Sequence, residues 1–384
     1  MFFIKSIADD KCLVVDTKDG VEEWFHNKDI LNLDIFVLGK KDGKLRVVDL
    51  EEVIDYQVSL IKLSSGCTLK IKGTCLRRVV GDFKSFEIPY GIISIDDDCF
   101  HDCVLESIMI PNTVVSFGKK CFCLCKNLRS IEIPDLVVSL EDFCFYGCAN
   151  LEKVTIPDSV TVLGDECFRQ CKSLKSVKIP GSVTTIGVWC FAGCTGLKSI
   201  EIPNSVVSLG NNCFSYCESL KSIKIPDSVV SLGNNCFSYC ESLKSIKIPD
   251  SVTSIGEFCF AKCKSLKSIK ISNSVTSLES SCFYGCKSLN NIEISNSVVS
   301  LGNDCFANCE SLKSIEIPDS VTFIGDFCFE GCVNLEKVII PDSILFIGDF
   351  CFEGCISLKE IYLSEGSSLD FNIPKGCKVY YYSE

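Results

Sequence analysis

Cysteine is the residue type whose number and spacing first point to chemistry in this sequence. The chain has 29 cysteines in 384 residues, and 24 of them form CxxxC pairs in which phenylalanine follows the first cysteine. Thiolates are preferred ligands of structural zinc, but this spacing differs from the common CxxC knuckle. Twelve pairs would also demand a column of metal ions. The enclosed phenylalanine instead favours a buried setting in which cysteine acts as a small apolar side chain, so we expect no metal site and no cofactor.

The oxidation state of these cysteines depends on where the protein resides. Disulfides between equivalent cysteines of successive units are an alternative, because neighbouring strands would place their Cα atoms about 5 Å apart, within bridging range. The N-terminus, however, turns acidic at Asp9 and Asp10 before the apolar segment of a secretion signal could form. We therefore expect free thiols and a cytoplasmic location, with the cell surface, reached by a non-classical route, as the alternative.

Catalysis has few candidate residues in this sequence. Its two histidines, His26 and His101, lie in no recognisable motif, and neither a glycine-rich phosphate loop nor an HExxH sequence is present. The net charge of −12 argues against a nucleic-acid partner, and no apolar run approaches the roughly 18 residues that would insert into a membrane. The sequence therefore predicts a protein that is not an enzyme and has no catalytic residues.

The CxxxC pairs belong to a repeating unit. Of the eleven steps from Cys99 to Cys351, the first is 22 residues and the other ten are 23, and residues 205–227 and 228–250 are identical. A short strand, ended by proline, leads through a return segment and a glycine turn at Gly256 to a short helical or 3₁₀ stretch. Eight positions of a unit are predicted to point inward: Leu243, Ile246, Ile248, Val252, Ile255, Cys259, Phe260 and Cys263.

A single unit cannot bury these side chains, whereas stacked units cover one another. The sequence thus predicts a repeat solenoid of leucine-rich repeats of about 23 residues, with a parallel β-sheet on its concave face. We expect a small, mainly β region at 1–80, the solenoid at 81–363 and a C-terminal cap at 364–384 that begins after a last strand at 361–363. Region 1–80 is either a cap or a separate targeting or partner-binding domain. Its predicted strands are Cys12–Asp16, Ile35–Leu38, Lys44–Val48 and Thr68–Lys72, with a hairpin turn at Asp42-Gly43.

The pattern CFxxCxxLxxIxIPxSVxxIG resembles the BspA-like leucine-rich repeats of the Treponema pallidum type. That family usually has Ala-Phe where this sequence has Cys-Phe, a variant similar to copies in unicellular eukaryotes. The resemblance covers about residues 83–378 and implies the solenoid fold. It also implies an alternative function, since family members include cell-surface adhesins that bind host or matrix proteins.

Lysines recur at outward positions of five consecutive predicted strands, usually beside a serine. We name this set the lysine strip, and it comprises Lys175, Lys178, Lys198, Lys221, Lys224, Lys244, Lys247, Lys267 and Lys270. It predicts a non-catalytic, protein-binding scaffold whose concave face docks an acidic protein segment or glycan. The alternative is a solvated surface on which duplication has copied a soluble residue.

Overall fold

The computed structural model describes the backbone of eight strands between Phe2 and Val80, the side chains of residues 75–79, and all of residues 83–88, 91–364, 369 and 371–382. Its backbone forms two compact units, Met1–Val160 and Thr161–Glu384. Turns of a β-solenoid make up about half of the first unit and most of the second, three in the first and nine in the second when counted by their Cys-Phe pairs. The predicted solenoid of about 23-residue repeats is therefore confirmed.

Strands precede the repeats in the first unit. They are β1 (Phe2–Ala8), β2 (Lys11–Asp16), β3 (Glu22–His26), β4 (Phe36–Lys41), β5 (Lys44–Asp49), β6 (Ser59–Lys62), β7 (Thr68–Lys72) and β8 (Cys75–Val80). All four predicted strands are present, as β2, β4, β5 and β7, whereas β1, β3, β6 and β8 were not predicted. Lys41 pairs with Lys44 between antiparallel β4 and β5, as the predicted hairpin requires, although Asp42 and Gly43 lie outside the described residues. The predicted bounds of the N-terminal region and the C-terminal cap stay predictions.

Each repeat of the first unit contributes a three-residue strand and a two-residue strand. The longer strands are β9 (Ser85–Glu87), β11 (Ser107–Met109), β13 (Ser130–Glu132) and β15 (Lys153–Thr155), and the shorter ones are β10 (Ser94–Ile95), β12 (Ser116–Phe117) and β14 (Ser139–Leu140). Strand β8 pairs antiparallel with β7 and parallel with β10. The first parallel sheet of the repeats thus begins on the last strand of the N-terminal region.

The second unit continues the same pattern with longer strands at the predicted places. They are β17 (Ser176–Lys178), β19 (Ser199–Glu201), β22 (Ser245–Lys247), β24 (Ser268–Lys270), β26 (Asn291–Glu293), β28 (Ser314–Glu316), β30 (Lys337–Ile339) and β32 (Glu360–Ser364). Between β19 and β22, Lys224 forms single parallel bridges to Glu201 and Lys247. A final strand, β33 (Lys378–Tyr382), pairs parallel with β32 and was not predicted.

The return segments of the second unit form a second row of parallel strands, which the sequence did not reveal. They are β16 (Val162–Leu163), β18 (Thr185–Ile186), β20 (Ser208–Leu209), β21 (Ser231–Leu232), β23 (Ser254–Ile255), β25 (Ser277–Leu278), β27 (Ser300–Leu301), β29 (Phe323–Ile324) and β31 (Phe346–Ile347). In each, the second residue is buried and the first is exposed or half-buried. These strands are too short for an alternation of apolar and polar residues to stand out in the sequence.

All eight positions predicted to point inward are buried. In the unit that begins at Leu243, no inward side chain exceeds 6% exposure. Ser272 and Ser295, which replace the usual proline, are also buried, and their hydroxyls donate hydrogen bonds to Val252 O (3.2 Å) and Asn273 Oδ1 (2.9 Å). The apolar period therefore identifies the core correctly, and these two polar exceptions are satisfied by hydrogen bonds.

The prediction of a helical or 3₁₀ stretch at Cys-Phe is wrong, since the described residues contain no helix and this segment consists of turns. In all twelve repeats, the residue before each of the two cysteines has positive φ, as at Asn235 (55°) and Tyr239 (59°). A left-handed residue at every fourth position interrupts a helical hydrogen-bond ladder. Phe237 N donates instead to Cys259 O of the next turn, at 2.8 Å.

Gly256 was predicted to permit a turn, but the structure gives a different reason for glycine there. Its φ is not among the positive values. A Cβ atom on Gly256 would lie 2.6 Å from the backbone nitrogen of Asn234 in the preceding turn, which is too close for any side chain. Glycine therefore permits two turns to approach each other.

Twelve phenylalanines, one from each repeat, fill the centre of the turns and are fully buried. Within the second unit, successive rings from Phe168 to Phe352 lie 5.4–5.6 Å apart, with planes within 7° of parallel. Burial of such rings removes large apolar areas from water, and each aromatic pair adds about 0.5–1.5 kcal/mol. This column is a major source of cohesion between turns.

The cysteines form two further columns beside the phenylalanines. All 27 cysteines among the described residues are free thiols, and 23 of the 24 repeat cysteines are buried, with Cys103 half-buried. The second thiol of a repeat donates a hydrogen bond to the phenylalanine carbonyl of the preceding turn, as from Cys240 Sγ to Phe214 O at 3.2 Å. The thiols therefore act as hydrogen-bond donors in the core as well as apolar filling.

Burial raises the pKa of these thiols, because an apolar core disfavours the thiolate. The pKa of Cys240 rises from its ordinary 9.0 to about 12, with desolvation as the main cause. Cys194 and Cys286 also reach about 12 for the same reason. At neutral pH the columns are therefore uncharged and poor nucleophiles.

We expect Phe237→Ala to lower the free energy of unfolding by about 3–5 kcal/mol, because it opens a cavity between two stacked rings. Phe346→Ala is the matched control. This ring also stacks on a neighbour, Phe323, at 5.2 Å, but it is 49% exposed, so its loss should cost much less. Urea titration followed by circular dichroism measures both, and equal losses would contradict the central role of the buried column.

The thiol columns predict unfolding at alkaline pH. Their folded pKa lies above the unfolded value of 9.0, so their stabilising contribution is complete below pH 9 and is lost as pH rises toward the folded pKa. Each thiol that ionises only on unfolding lowers stability by about 0.4 kcal/mol at pH 9 and about 1.4 kcal/mol at pH 10. Burial raises the pKa of twenty buried repeat thiols, so the sum is on the order of 10 kcal/mol at pH 9 and 30 kcal/mol at pH 10. Circular dichroism should therefore show unfolding between about pH 9 and 10.

A variant with Cys190, Cys213, Cys236, Cys259 and Cys282 replaced by alanine provides the control. It lacks five of these twenty thiols, so the fall of stability per pH unit above pH 9 should shrink by about a quarter. A native circular dichroism spectrum at pH 11 in the unmodified protein, or an unchanged slope in the variant, would contradict this role of the thiols.

Candidate functional site

The lysine strip lies on the outward side of the longer strands of the second unit, which we call the strand face. All nine lysines are exposed, as their register predicted. They form an outer column just before the strands (Lys175, Lys198, Lys221, Lys244, Lys267) and an inner column at the strand ends (Lys178, Lys224, Lys247, Lys270). Each inner-column lysine lies between two inward apolar residues, as Lys178 lies between Val177 and Ile179, because side chains alternate between the two sides of a strand. Each outer-column lysine follows a buried leucine directly, as Lys175 follows Leu174.

A row of serines separates the two lysine columns. Its members are exposed, one on each of the five turns: Ser176, Ser199, Ser222, Ser245 and Ser268. Serine is the smallest side chain that carries a hydroxyl, so the row is low and offers hydrogen-bond donors between two lines of ammonium groups. The strip therefore has the form of a shallow channel with basic sides.

Backbone pairing sets the order of charges along the inner column. Lys178 pairs with Glu201, Glu201 with Lys224, and Lys224 with Lys247, which in turn pairs with Lys270. Like charges on directly neighbouring strands destabilise a sheet. Three lysines thus stand next to one another in the inner column, and Glu201 is the acidic residue that interrupts it.

Some lysines outside the strip pair with a carboxylate one turn away. Lys264 Nζ lies 2.6 Å from Glu241 Oε1, and Lys287 Nζ lies 2.7 Å from Glu310 Oε1. In the strip, Lys270 Nζ pairs with Glu293 Oε2 at 3.0 Å, and Lys175 has a further interaction. Among the described residues, the other seven lysines of the strip form no ion pair.

Other candidate chemistry is weaker in the structure. His101 Nδ1 lies 2.9 Å from Asp98 Oδ1 at the surface, while the side chain of His26 lies outside the described residues. Within the described part of the chain, no three or more histidine, cysteine or acidic side chains are grouped to hold a metal ion. No helix there is long and apolar enough to span a bilayer.

The sequence did not single out an exposed apolar group at the C-terminal end of the second unit. Phe323 and Phe346 stack at 5.2 Å on outward positions of β29 and β31, and the adjacent Leu345 is 79% exposed. Most other turns of this unit have serine or threonine where these phenylalanines stand. Phenylalanine in place of serine or threonine was the sign of this apolar group in the sequence. It could be interpreted only once the short strands, and thus the outward position of these residues, were known.

A family model described as "BspA type Leucine rich repeat region (6 copies)" matches residues 70–198, 161–290 and 276–378. These matches overlap and together cover most of the chain. They include the region in which the sequence resembled this family. Among curated proteins, a sequence search finds no match.

Solved structures agree with this family match. A leucine-rich repeat protein from Bacteroides ovatus is 27% identical, with 85% of this chain and 98% of that chain covered and a TM-score of 0.56. A leucine rich cell surface protein from Faecalibacterium prausnitzii is also 27% identical, with 84% and 94% covered and a TM-score of 0.56. The pneumococcal vaccine antigen PcpA shares the fold at 19% identity, with 85% and 95% covered and a TM-score of 0.54.

The stacked 23-residue turns, their CFxxC cores and the match across residues 70–378 lead to one conclusion. This chain belongs to the BspA-type leucine-rich repeat family.

Proposed function

We propose that this protein is a non-catalytic, protein-binding scaffold whose lysine strip docks an acidic segment of a partner protein. The observation that carries the proposal is the set of seven exposed lysines with no ion pair among the described residues. Repeat solenoids present long, regular surfaces of this kind to their partners. The strip is such a surface, and its charge is positive except where Glu201 interrupts the inner column.

The electrostatics of the strip favour an acidic occupant. Lys224, Lys247 and Lys270 occupy neighbouring strands, where like charges repel. Lys264 and Lys287, outside the strip, have carboxylates one turn away, so the fold accommodates such pairs. Carboxylates of a bound partner would neutralise the strip in the same way, and binding would relieve the repulsion.

The rest of the molecule favours protein over nucleic acid as the partner. The chain has a net charge of −12, which repels a long polyanion beyond the strip. The row between the lysines consists of serines, so the strip lacks the aromatic side chains on which bases stack. A short acidic protein segment would meet the lysines without extending over the acidic remainder.

We propose a cytoplasmic location, because a reducing compartment would keep the buried cysteines as thiols. A second candidate function is that of a cell-surface adhesin for host or matrix proteins. It is favoured by the likeness to the leucine rich cell surface protein of Faecalibacterium prausnitzii. The exposed Phe323, Leu345 and Phe346 would then be the first surface to test for an adhesive contact.

The acidic-partner proposal predicts salt-sensitive binding to poly-L-glutamate. Retention of the full chain on immobilised poly-L-glutamate should fall as salt rises from about 0.1 to 0.5 M, since the Debye length shrinks below about 10 Å. The triple variant Lys224→Glu, Lys247→Glu, Lys270→Glu should elute at clearly lower salt. Its fold should be retained, because exposed substitutions seldom change stability by more than about 0.5 kcal/mol.

A control with the same charge change lies at the end of the stack. Lys359, Lys375 and Lys378 are also exposed, and their replacement by glutamate should leave elution nearly unchanged. Equal weakening in both triple variants would show that net charge governs retention. Unchanged elution of the strip variant would leave the strip as a solvated surface.

The two locations predict different labelling of intact source cells. A membrane-impermeant amine-reactive biotin reagent should leave a cytoplasmic protein unlabelled until the cells are lysed, because charged reagents do not cross the bilayer. Labelling before lysis, with a known cytoplasmic protein unlabelled in the same sample, would favour the adhesin.

A further inference from the structure

The spacing of lysines along each column and the distance between the two columns limit the dimensions of a partner segment that can bind there. Neighbouring strands lie about 4.8 Å apart, so each column presents one side chain about every 4.8 Å, and five turns span about 19 Å. Within one turn, Lys175 and Lys178 are three residues apart along an extended segment, which is at most about 10 Å. The serine row lies between them.

An α-helix fits both dimensions. Its diameter with side chains is about 10–12 Å, comparable to the separation of the columns. Its residues recur on one face every 5.4 Å or so, which differs from the spacing of the turns by only about 0.6 Å. Over four steps the mismatch grows to about 2.4 Å, a distance that the flexible four-carbon stem of lysine can absorb.

An extended segment that runs along the stack fits less well. Side chains on one face of a strand recur about every 6.7 Å, so the mismatch with the turns is about 1.9 Å per step and nearly 8 Å over four steps. Such a segment would meet the first lysines of a column in register and miss the last ones. The regular spacing of the strip therefore discriminates between the two backbone conformations.

We propose that the occupant of the lysine strip is an acidic α-helix that lies along the stack over the serine row, with carboxylates on both flanks facing the two lysine columns. This inference rests on the proposed function and adds the conformation and charge pattern of the partner. The low serine row admits the helix backbone closely, and its hydroxyls offer hydrogen-bond donors beneath the carboxylates.

Glu201 gives the complex a register. It lies between Lys178 and Lys224 in the inner column, where it would repel a carboxylate on the flank of the helix. A helix seated in the strip should therefore carry a neutral or basic residue at this one place. Glu201→Lys removes the restriction and should favour a helix that is acidic along both flanks.

Two peptides of equal composition test the inference. Each has three heptads, about 21 residues or 31 Å of helix, with six glutamates among alanine and glutamine. The flank peptide carries glutamate at positions e and g, and the scattered peptide spreads the same glutamates around the helix. Fluorescence anisotropy with the full chain at low salt measures the affinities, and circular dichroism measures the helix gained on binding.

We expect the flank peptide to bind at least tenfold more tightly than the scattered peptide and to gain helical signal on binding. The triple variant Lys224→Glu, Lys247→Glu, Lys270→Glu should lose this preference. Glu201→Lys should strengthen binding of the flank peptide about three- to tenfold. Glu316 occupies the same position of its strand beyond the strip, so Glu316→Lys is the matched control and should change affinity less than twofold.

The possible failures are distinct. Equal affinity of the two peptides, lost in both cases by the triple variant, would overturn the helix while the acidic-partner proposal stands. Binding without any gain of helical signal would also overturn the helix. No measurable binding of either peptide at low salt would contradict the acidic-partner proposal together with the inference built on it.

Discussion

Hydrogen bonds and apolar contacts between successive turns are the interactions on which the rest of this structure depends. A turn has too few inward side chains to cover one another, and it is completed by the turns before and after it. Backbone donors such as Phe237 N reach the next turn at about the spacing of β-strands. Equivalent residues are therefore held in columns, and any residue type repeated in the sequence becomes a line of identical groups in space.

The same constraint has opposite effects inside and outside the solenoid. Inside, it stacks phenylalanine rings and aligns each second thiol with a carbonyl of the preceding turn. Both contacts are favourable, and the second requires that the thiols stay protonated. Outside, it sets Lys224 beside Lys247 with no carboxylate between them. Repetition thus gives cohesion where the repeated group is neutral and repulsion where it is charged.

The fold could be predicted from the sequence because its period and its inward positions are set by burial alone. The conformation of the Cys-Phe segment was mistaken, since an apolar pair four residues apart is equally compatible with a helix. Glycine at five of the twelve positions before the second cysteine, as at Gly193 and Gly331, was an available sign of left-handed backbone. Tyrosine and lysine at the same position in other repeats concealed it.

The exposure of the candidate site was predictable, whereas the lack of an ion pair at seven of its nine lysines was not. Alternation along a strand places Lys247 outward without any knowledge of its neighbours. Whether a lysine finds a carboxylate depends on the rotamers of side chains one turn away. Lys270 meets Glu293 at 3.0 Å, but Lys178, which has Glu201 in the same relation, forms no such pair among the described residues.

The identical repeats 205–227 and 228–250 indicate that gene duplication can lengthen this solenoid by one complete turn at a time. One more copy would add a lysine to each column and about 4.8 Å to the strip, while every new contact between turns would repeat one that already exists. A change in the number of repeats would therefore change the length of the lysine strip by whole turns, without any new type of core contact. Selection on length and selection on folding would then act on separate features of the same unit.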